Sequence, residues 1–172
     1  LRFGNEKLSN AVIPSCVTTI GEHAFANRPV KKIILPDSVT EIGKNAFYDC
    51  CDLESIIIPD SVTTIREAAF ACCGLLSVEI PDSVTEIGVG VFQDCKNLTT
   101  INCIYSTDDG RAVDIDNTLV AFAPASDSSY SIEDDVNAIA DYAFYNCSDL
   151  NYVGIPDSVT EIGNSAFRGC AG

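Results

Sequence analysis

Nine cysteines, a single histidine and a recurring aspartate are the residues of this 172-residue chain whose types could do chemistry. Thiols bind zinc or form disulfides, a histidine anchors an acid–base triad, and convergent carboxylates attract calcium. Their spacing points elsewhere. Cys50, Cys73, Cys95, Cys147 and Cys170 each follow a phenylalanine by three residues, as members of a repeated column, and small thiols suit a packed interior. Cys16 stands where Ser38, Ser61, Ser83 and Ser158 stand in other units, and Cys103 replaces a strand isoleucine. A bridge between neighbouring column members, or between Cys51 and Cys72, stays open on spacing. Parallel inward side chains seldom offer the required dihedral, however, and an odd count leaves at least one thiol free. No C-x-x-C pair occurs, which argues against zinc.

His23 occupies a variable position before Ala24-Phe25, where other units carry Asn45, Ala68 or Ser165. That marks a surface residue rather than a general base. Asp37, Asp60, Asp82 and Asp157 follow prolines, with Asp134 in a degenerate unit, and turn formation accounts for them. A single-file row supplies too few oxygens for calcium, which wants 6–8. No glycine-rich phosphate loop is present. The sequence therefore predicts no catalytic, cofactor-binding or metal-binding residues, and a protein that is not an enzyme.

The element that positions all these columns is a repeat. Phe3, Phe25, Phe47, Phe70, Phe92, Phe144 and Phe167 are separated by 22, 22, 23, 22, 52 and 23 residues. A short unit copied at fixed length is the signature of a solenoid. Within each unit an apolar column (Leu8, Val30, Leu53, Leu75, Leu98, Leu150) precedes a short strand. A second column, Ile13, Leu35, Ile58, Ile80, Cys103, Ile132 and Ile155, closes it. Spacing of two sends Ile56 and Ile58 inward and Ile57 outward. Pro14, Pro36, Pro59, Pro81 and Pro156 end the strand, having no N–H to continue a ladder.

A V-T-x-I segment follows as a second extended stretch, at Val39/Ile42, Val62/Ile65, Val84/Ile87, Val136/Ile139 and Val159/Ile162. The column Thr19, Glu41, Thr64, Glu86, Ala138, Glu161 alternates acid with neutral where adjacent units can be compared, which keeps like charges apart. The Ala-Phe step then reads as a short helical or 3₁₀ turn whose ring plugs the interior, one per coil, building an aromatic spine.

The 52-residue interval holds two irregular turns. Ala112–Ile115 and Thr118–Phe122 flank Asp116-Asn117 as a hairpin, edged by loops 106–110 and 124–130, with Ile104 and Glu133 in the proline places. We therefore expect one solenoid over residues 1–172, regular over 1–103 and 132–172, with a hairpin insertion at about 104–131. Long departures from a scaffold often carry function, so the hairpin is a second candidate contact region. Phe3 and Cys170 place both ends inside a turn, and solenoids need caps, so flanking sequence or burying contacts are expected.

The formal net charge of −15 argues against nucleic acid and anionic lipid, which reward dense Lys/Arg patches, and favours basic partners or none. No run approaches the ~18 apolar residues of a membrane span.

These columns resemble the BspA-like leucine-rich repeat, the TpLRR class, with the pattern L-x-x-I-x-I-P-x-x-V-x-x-I-G-x-x-A-F-x-x-C. It recurs as Ile155-Pro156, Val159 to Gly163 and Ala166-Phe167 to Cys170. Departures are local. Glu6 and Arg28 replace the cysteine, and Arg66 and Ala140 the glycine. The resemblance implies an α/β leucine-rich repeat solenoid, a right-handed superhelix with one short parallel strand per 22–23-residue turn. It further implies a secreted or cell-surface protein that binds a host or other extracellular protein ligand without catalysis.

A curved parallel sheet would present the outward strand positions as one face. Val12, Ile34 and Ile57 align there as an apolar row flanked by Lys31, Lys32, Glu54 and Ser55. The row turns polar through Glu79 and Asn102, and Tyr152 stands near the far end as an anchor. The rival reading is a structural spacer holding other domains apart, marked by flanking domains and no ligand affinity.

Overall fold

The computed structural model describes residues 10–124 and 128–171. The column positions Phe3, Glu6 and Leu8 lie outside them, as do residues 125–127 of the second loop. Each coil contributes a first strand: β1 (Asn10–Val12), β3 (Lys32–Ile34), β5 (Ser55–Ile57), β7 (Ser77–Glu79), β9 (Thr100–Asn102), β12 (Ser129–Ser131) and β14 (Tyr152–Gly154). Neighbours pair in parallel as β1-β3-β5, β7-β9 and β12-β14. The V-T-x-I segments give two-residue second strands, β2 (Thr19–Ile20), β4 (Glu41–Ile42), β6 (Thr64–Ile65), β8 (Glu86–Ile87), β13 (Ala138–Ile139) and β15 (Glu161–Ile162). The chain is a solenoid of parallel strands. Ile33, Ile56, Val78 and Ile101, the central residues of their strands, are buried, and their flanking neighbours in β3, β5 and β7 face solvent.

The Ala-Phe segments are not helical; no α- or 3₁₀-helix occurs among the described residues. Each is a run of tight turns with left-handed backbone two residues before and two after the ring. The pairs are His23 and Asn27, Asn45 and Asp49, Ala68 and Cys72, Gly90 and Asp94, Tyr142 and Asn146, Ser165 and Gly169. The reason lies in where the N–H groups go. Ala24, Ala26 and Arg28 donate backward to Gly21, His23 and Phe25 within the coil, whereas His23, Phe25 and Asn27 donate to the carbonyls of Lys44, Ala46 and Tyr48 in the next coil at 2.7–3.2 Å. A helix would spend every N–H on its own carbonyls; alternating the backbone shares them between coils. Asn, Asp and Gly fill most of these positions because they tolerate positive φ.

The rings stack as expected. Phe25–Phe47 and Phe47–Phe70 have centroids 5.3 Å apart, and Phe70–Phe92 5.8 Å, all nearly parallel. The hairpin is present, with β10 (Ala112–Ile115) antiparallel to β11 (Thr118–Phe122). Asp116 and Asn117 have φ of 53° and 61°, both positive as a type I′ turn requires. The hairpin belongs to the stack, because β11 pairs in parallel with β13 and the Phe122 ring packs, tilted by 38°, at 4.6 Å from Phe144. Starts of β9 and β12 are 29 residues apart against 22 or 23 elsewhere, so a single coil absorbs the extra length. Arg111 is buried beneath it. Its guanidinium donates to the carbonyls of Ala123 and Pro124 and lies 5.0 Å from the Phe122 ring centre.

Two polar ladders stitch coil to coil. Ser38, Ser61, Ser83 and Ser158 donate to the carbonyls of Val17, Val39, Val62 and Val136 at 2.6–2.7 Å. The thiols of Cys50, Cys73, Cys95 and Cys170 donate to the carbonyls of Phe25, Phe47, Phe70 and Phe144 at 3.0–3.2 Å. The cysteine column therefore packs the core and also bonds across coils.

Candidate functional site

The nine cysteines are free thiols. Burial pushes Cys95 and Cys147 up to about 12, so both are neutral and unreactive at physiological pH. Cys51 donates to the Asp49 carboxylate at 3.0 Å, a hydrogen bond that, with burial, pushes the thiol up to about 11. Cys51 and Cys72 are not bridged. Cys16 is exposed, and Cys103 lies beside the Ser106 hydroxyl at 3.4 Å. His23 is exposed next to Glu22. Among the described residues no group of three or more His, Cys, Asp or Glu side chains is placed to hold a metal ion. The strands also present a broad surface.

That surface is the outward face of the first strands. Register sets Val12 beside Ile34 and Ile34 beside Ile57, and the three side chains are 91, 55 and 52% exposed. Strand alternation forces this, since the buried Ile33 and Ile56 point the other way. The adjacent row runs Lys32, Ser55, then Ser77, Thr100, then Ser129, Tyr152. Lys31 and Glu54 precede these strands and form an exposed ion pair at 3.6 Å. Glu79 and Asn102 sit side by side as the polar continuation of the isoleucine row.

Val12, Lys31, Lys32, Ile34, Glu54, Ser55 and Ile57 are thus brought onto three neighbouring coils, with Glu79 and Asn102 following. Tyr152 lies five first strands beyond Lys32, on the far side of the hairpin coil where β9 and β12 do not pair. It stands in the lysine row. Leu76, 53% exposed, joins the face in the slot of Lys31 and Glu54. The sequence reading missed it because Leu75 beside it fills the core column.

A groove of about 370 Å³ opens where the isoleucine row ends, lined by Ile58, Asp60, Glu79, Pro81, Asp82 and Asn102 among others. Charge is distributed unevenly along the chain. Seven of the ten Lys and Arg residues precede position 67, and seventeen of the 25 Asp and Glu residues lie at or beyond it. Near the hairpin the acids crowd one another: burial, then Asp135, Asp108, Asp109 and Asp114, raise Glu133 above the usual carboxylate range.

The repeat columns, register and turn chemistry match the family model for the BspA type leucine rich repeat region, in six copies over residues 2–109 and 118–172. The chain belongs to the BspA-type leucine-rich repeat family. The stretch between the matched segments contains β10, where the repeat pattern lapses.

Solved structures of the same architecture include a leucine-rich cell surface protein from Faecalibacterium prausnitzii. It is 30% identical with a TM-score of 0.77, over 92% of this chain and 50% of that one. The pneumococcal vaccine antigen PcpA shares the fold at 23% identity and a TM-score of 0.76, over 89% of this chain and 40% of that one. The Treponema pallidum leucine-rich repeat protein TpLRR is 26% identical with a TM-score of 0.56, over 96% and 78%. This BspA-type chain spans half the length of the Faecalibacterium protein. No curated protein matches it in sequence.

Proposed function

We propose that this chain is a non-enzymatic protein-recognition module of a cell-surface or secreted protein, binding an extracellular protein partner through its outward strand face. The observation that carries the reading is the in-register aliphatic row Val12, Ile34 and Ile57, exposed on strands of which β3 and β5 bury Ile33 and Ile56 on the other face. A continuous exposed apolar strip rimmed by charge is what protein interfaces are built from. The naming of the Faecalibacterium structure as a cell surface protein supports the location, and no helix among the described residues is long and apolar enough to cross a membrane.

The test is binding of the purified chain to an array of secreted and extracellular-matrix proteins, with Ile34→Asp/Ile57→Asp as comparator. Both side chains are about half exposed and the two aspartates would lie side by side in register, so the comparator is first shown to be folded by circular dichroism and binding is compared below its unfolding temperature. A partner whose affinity drops ten-fold or more in the comparator supports the reading. Partners that bind the two proteins equally would exclude the strand face. A chain that binds nothing is behaving as a spacer.

A further inference from the structure

The strand face carries a charge order along the solenoid axis. Lys32, at its start, belongs to no ion pair among the described residues. Ile34 and Ile57 follow, then the groove bearing Asp60, Glu79 and Asp82. Elsewhere on the solenoid some carboxylates are matched by cations from neighbouring coils. Arg66 bridges Glu41 at 2.9 Å and Glu86 at 3.2 Å, and Lys44 meets Glu67 at 2.8 Å. The three groove carboxylates have no such cation among the described residues.

The groove exists because the turn column breaks there. Pro59-Asp60 and Pro81-Asp82 stack, but the next coil continues as Cys103-Ile104. The Ser106 hydroxyl pulls that coil back, accepting from the Cys103 N–H and donating to the Ile101 carbonyl, each at 2.7 Å. No further Pro-Asp turn covers Asp82.

We infer that this face takes an extended segment of a partner protein that is both aliphatic and basic, its aliphatic side chains on Ile34 and Ile57 and a lysine or arginine in the Asp60–Glu79–Asp82 groove. The inference rests on the strand-face reading above and specifies the partner's chemistry. Charge complementarity selects the occupant: only a cation matches three uncompensated carboxylates beside an aliphatic strip, and a groove of this size admits a long side chain. The distance from Ile57 to Glu79 is one coil step, about 4.8 Å, so the aliphatic and basic residues should be about two to four positions apart in an extended chain. A second copy of this chain fits less well. Pairing Ile34 with Ile57 of the copy, coil order reversed, sets the exposed Val12 against Glu79.

The probe is a phage-displayed library of random dodecapeptides selected on the intact chain. Selected peptides are then measured against Glu79→Gln/Asp82→Asn and Ile34→Asp/Ile57→Asp. We expect enrichment of Lys or Arg within about two to four residues of aliphatic residues, and at least ten-fold weaker binding to each double variant. Peptides without a basic preference that lose binding only in the isoleucine variant would overturn the groove assignment and leave the strand-face reading standing. Peptides insensitive to both variants, or a library with no enrichment, would overturn both. Dimerisation abolished by Ile34→Asp/Ile57→Asp, with no basic peptide selected, would overturn the inference in favour of self-association.

Discussion

Replacing Phe70 with leucine isolates what the aromatic spine contributes. Phe70 is fully buried between Phe47 and Phe92, with ring centres at 5.3 and 5.8 Å and interplanar angles of 4° and 12°. Leucine keeps most of the apolar burial and removes both stacks. At about 0.5–1.5 kcal/mol per aromatic pair beyond area, the substitution should cost about 1–3 kcal/mol. Phe167 is the internal control, because it stacks on Phe144 alone at 4.9 Å and is only partly buried. Phe167→Leu should therefore cost about half as much, roughly 0.5–1.5 kcal/mol. Urea unfolding followed by circular dichroism gives both values, read from midpoints at constant slope. Phe70→Ala adds a cavity and should cost about 3–5 kcal/mol. It should also split the transition, since coils on either side of the gap touch only their neighbours. Equal costs for the two leucine variants, or a cost below about 0.5 kcal/mol for Phe70→Leu, would refute the idea that stacking holds the coils together.

A Cβ added at Gly88 would collide with the backbone nitrogen of Glu67 and the carbonyl carbon of Arg66, so Gly88→Ala should destabilise by about 1–3 kcal/mol. Gly21 has nothing within 4 Å, and Gly21→Ala should stay within about 0.5 kcal/mol, both measured by urea midpoint. Ser61→Ala removes the 2.7 Å bond to the Val39 carbonyl and should cost about 0.5–1.5 kcal/mol in the same assay. Cys95 and Cys147 stay protonated in the folded chain up to about pH 12, while their unfolded counterparts ionise near pH 9. Their contribution is therefore complete below about pH 9 and lost as pH rises from there towards 12. The loss is about 1.4 kcal/mol per pH unit for each thiol. Urea midpoints between pH 9 and 10.5 should fall, and the fall should become shallower in Cys95→Val/Cys147→Val without flattening, because Cys51, Cys72, Cys73 and Cys170 are raised as well; an unchanged slope would assign the alkaline loss to those other groups.

The period of the phenylalanines, the prolines that end each strand and the alternation through Ile56, Ile57 and Ile58 were enough to read the solenoid. Each column is a local instruction repeated until no other packing satisfies it. The hairpin was legible for the same reason, since Asp116-Asn117 tolerates the two positive φ values its turn needs. The Ala-Phe segment was misread as a helical turn because its alternating backbone depends on carbonyls one coil away, at a separation of about 21 residues that no local propensity records. The rows of the outward strand face followed from strand alternation and repeat spacing alone, as with Val12, Ile34 and Ile57.

What the sequence by itself determined, then, is which side chains face in and which face out, because strand alternation and turn chemistry are properties of neighbouring residues. Only the tertiary structure decided that the Ser and Cys columns bond to carbonyls of the preceding coil, that Leu76 is exposed, and that Asp60, Glu79 and Asp82 share one groove. Those facts depend on how one coil lies over the next, and that offset is set by the packing of the whole stack.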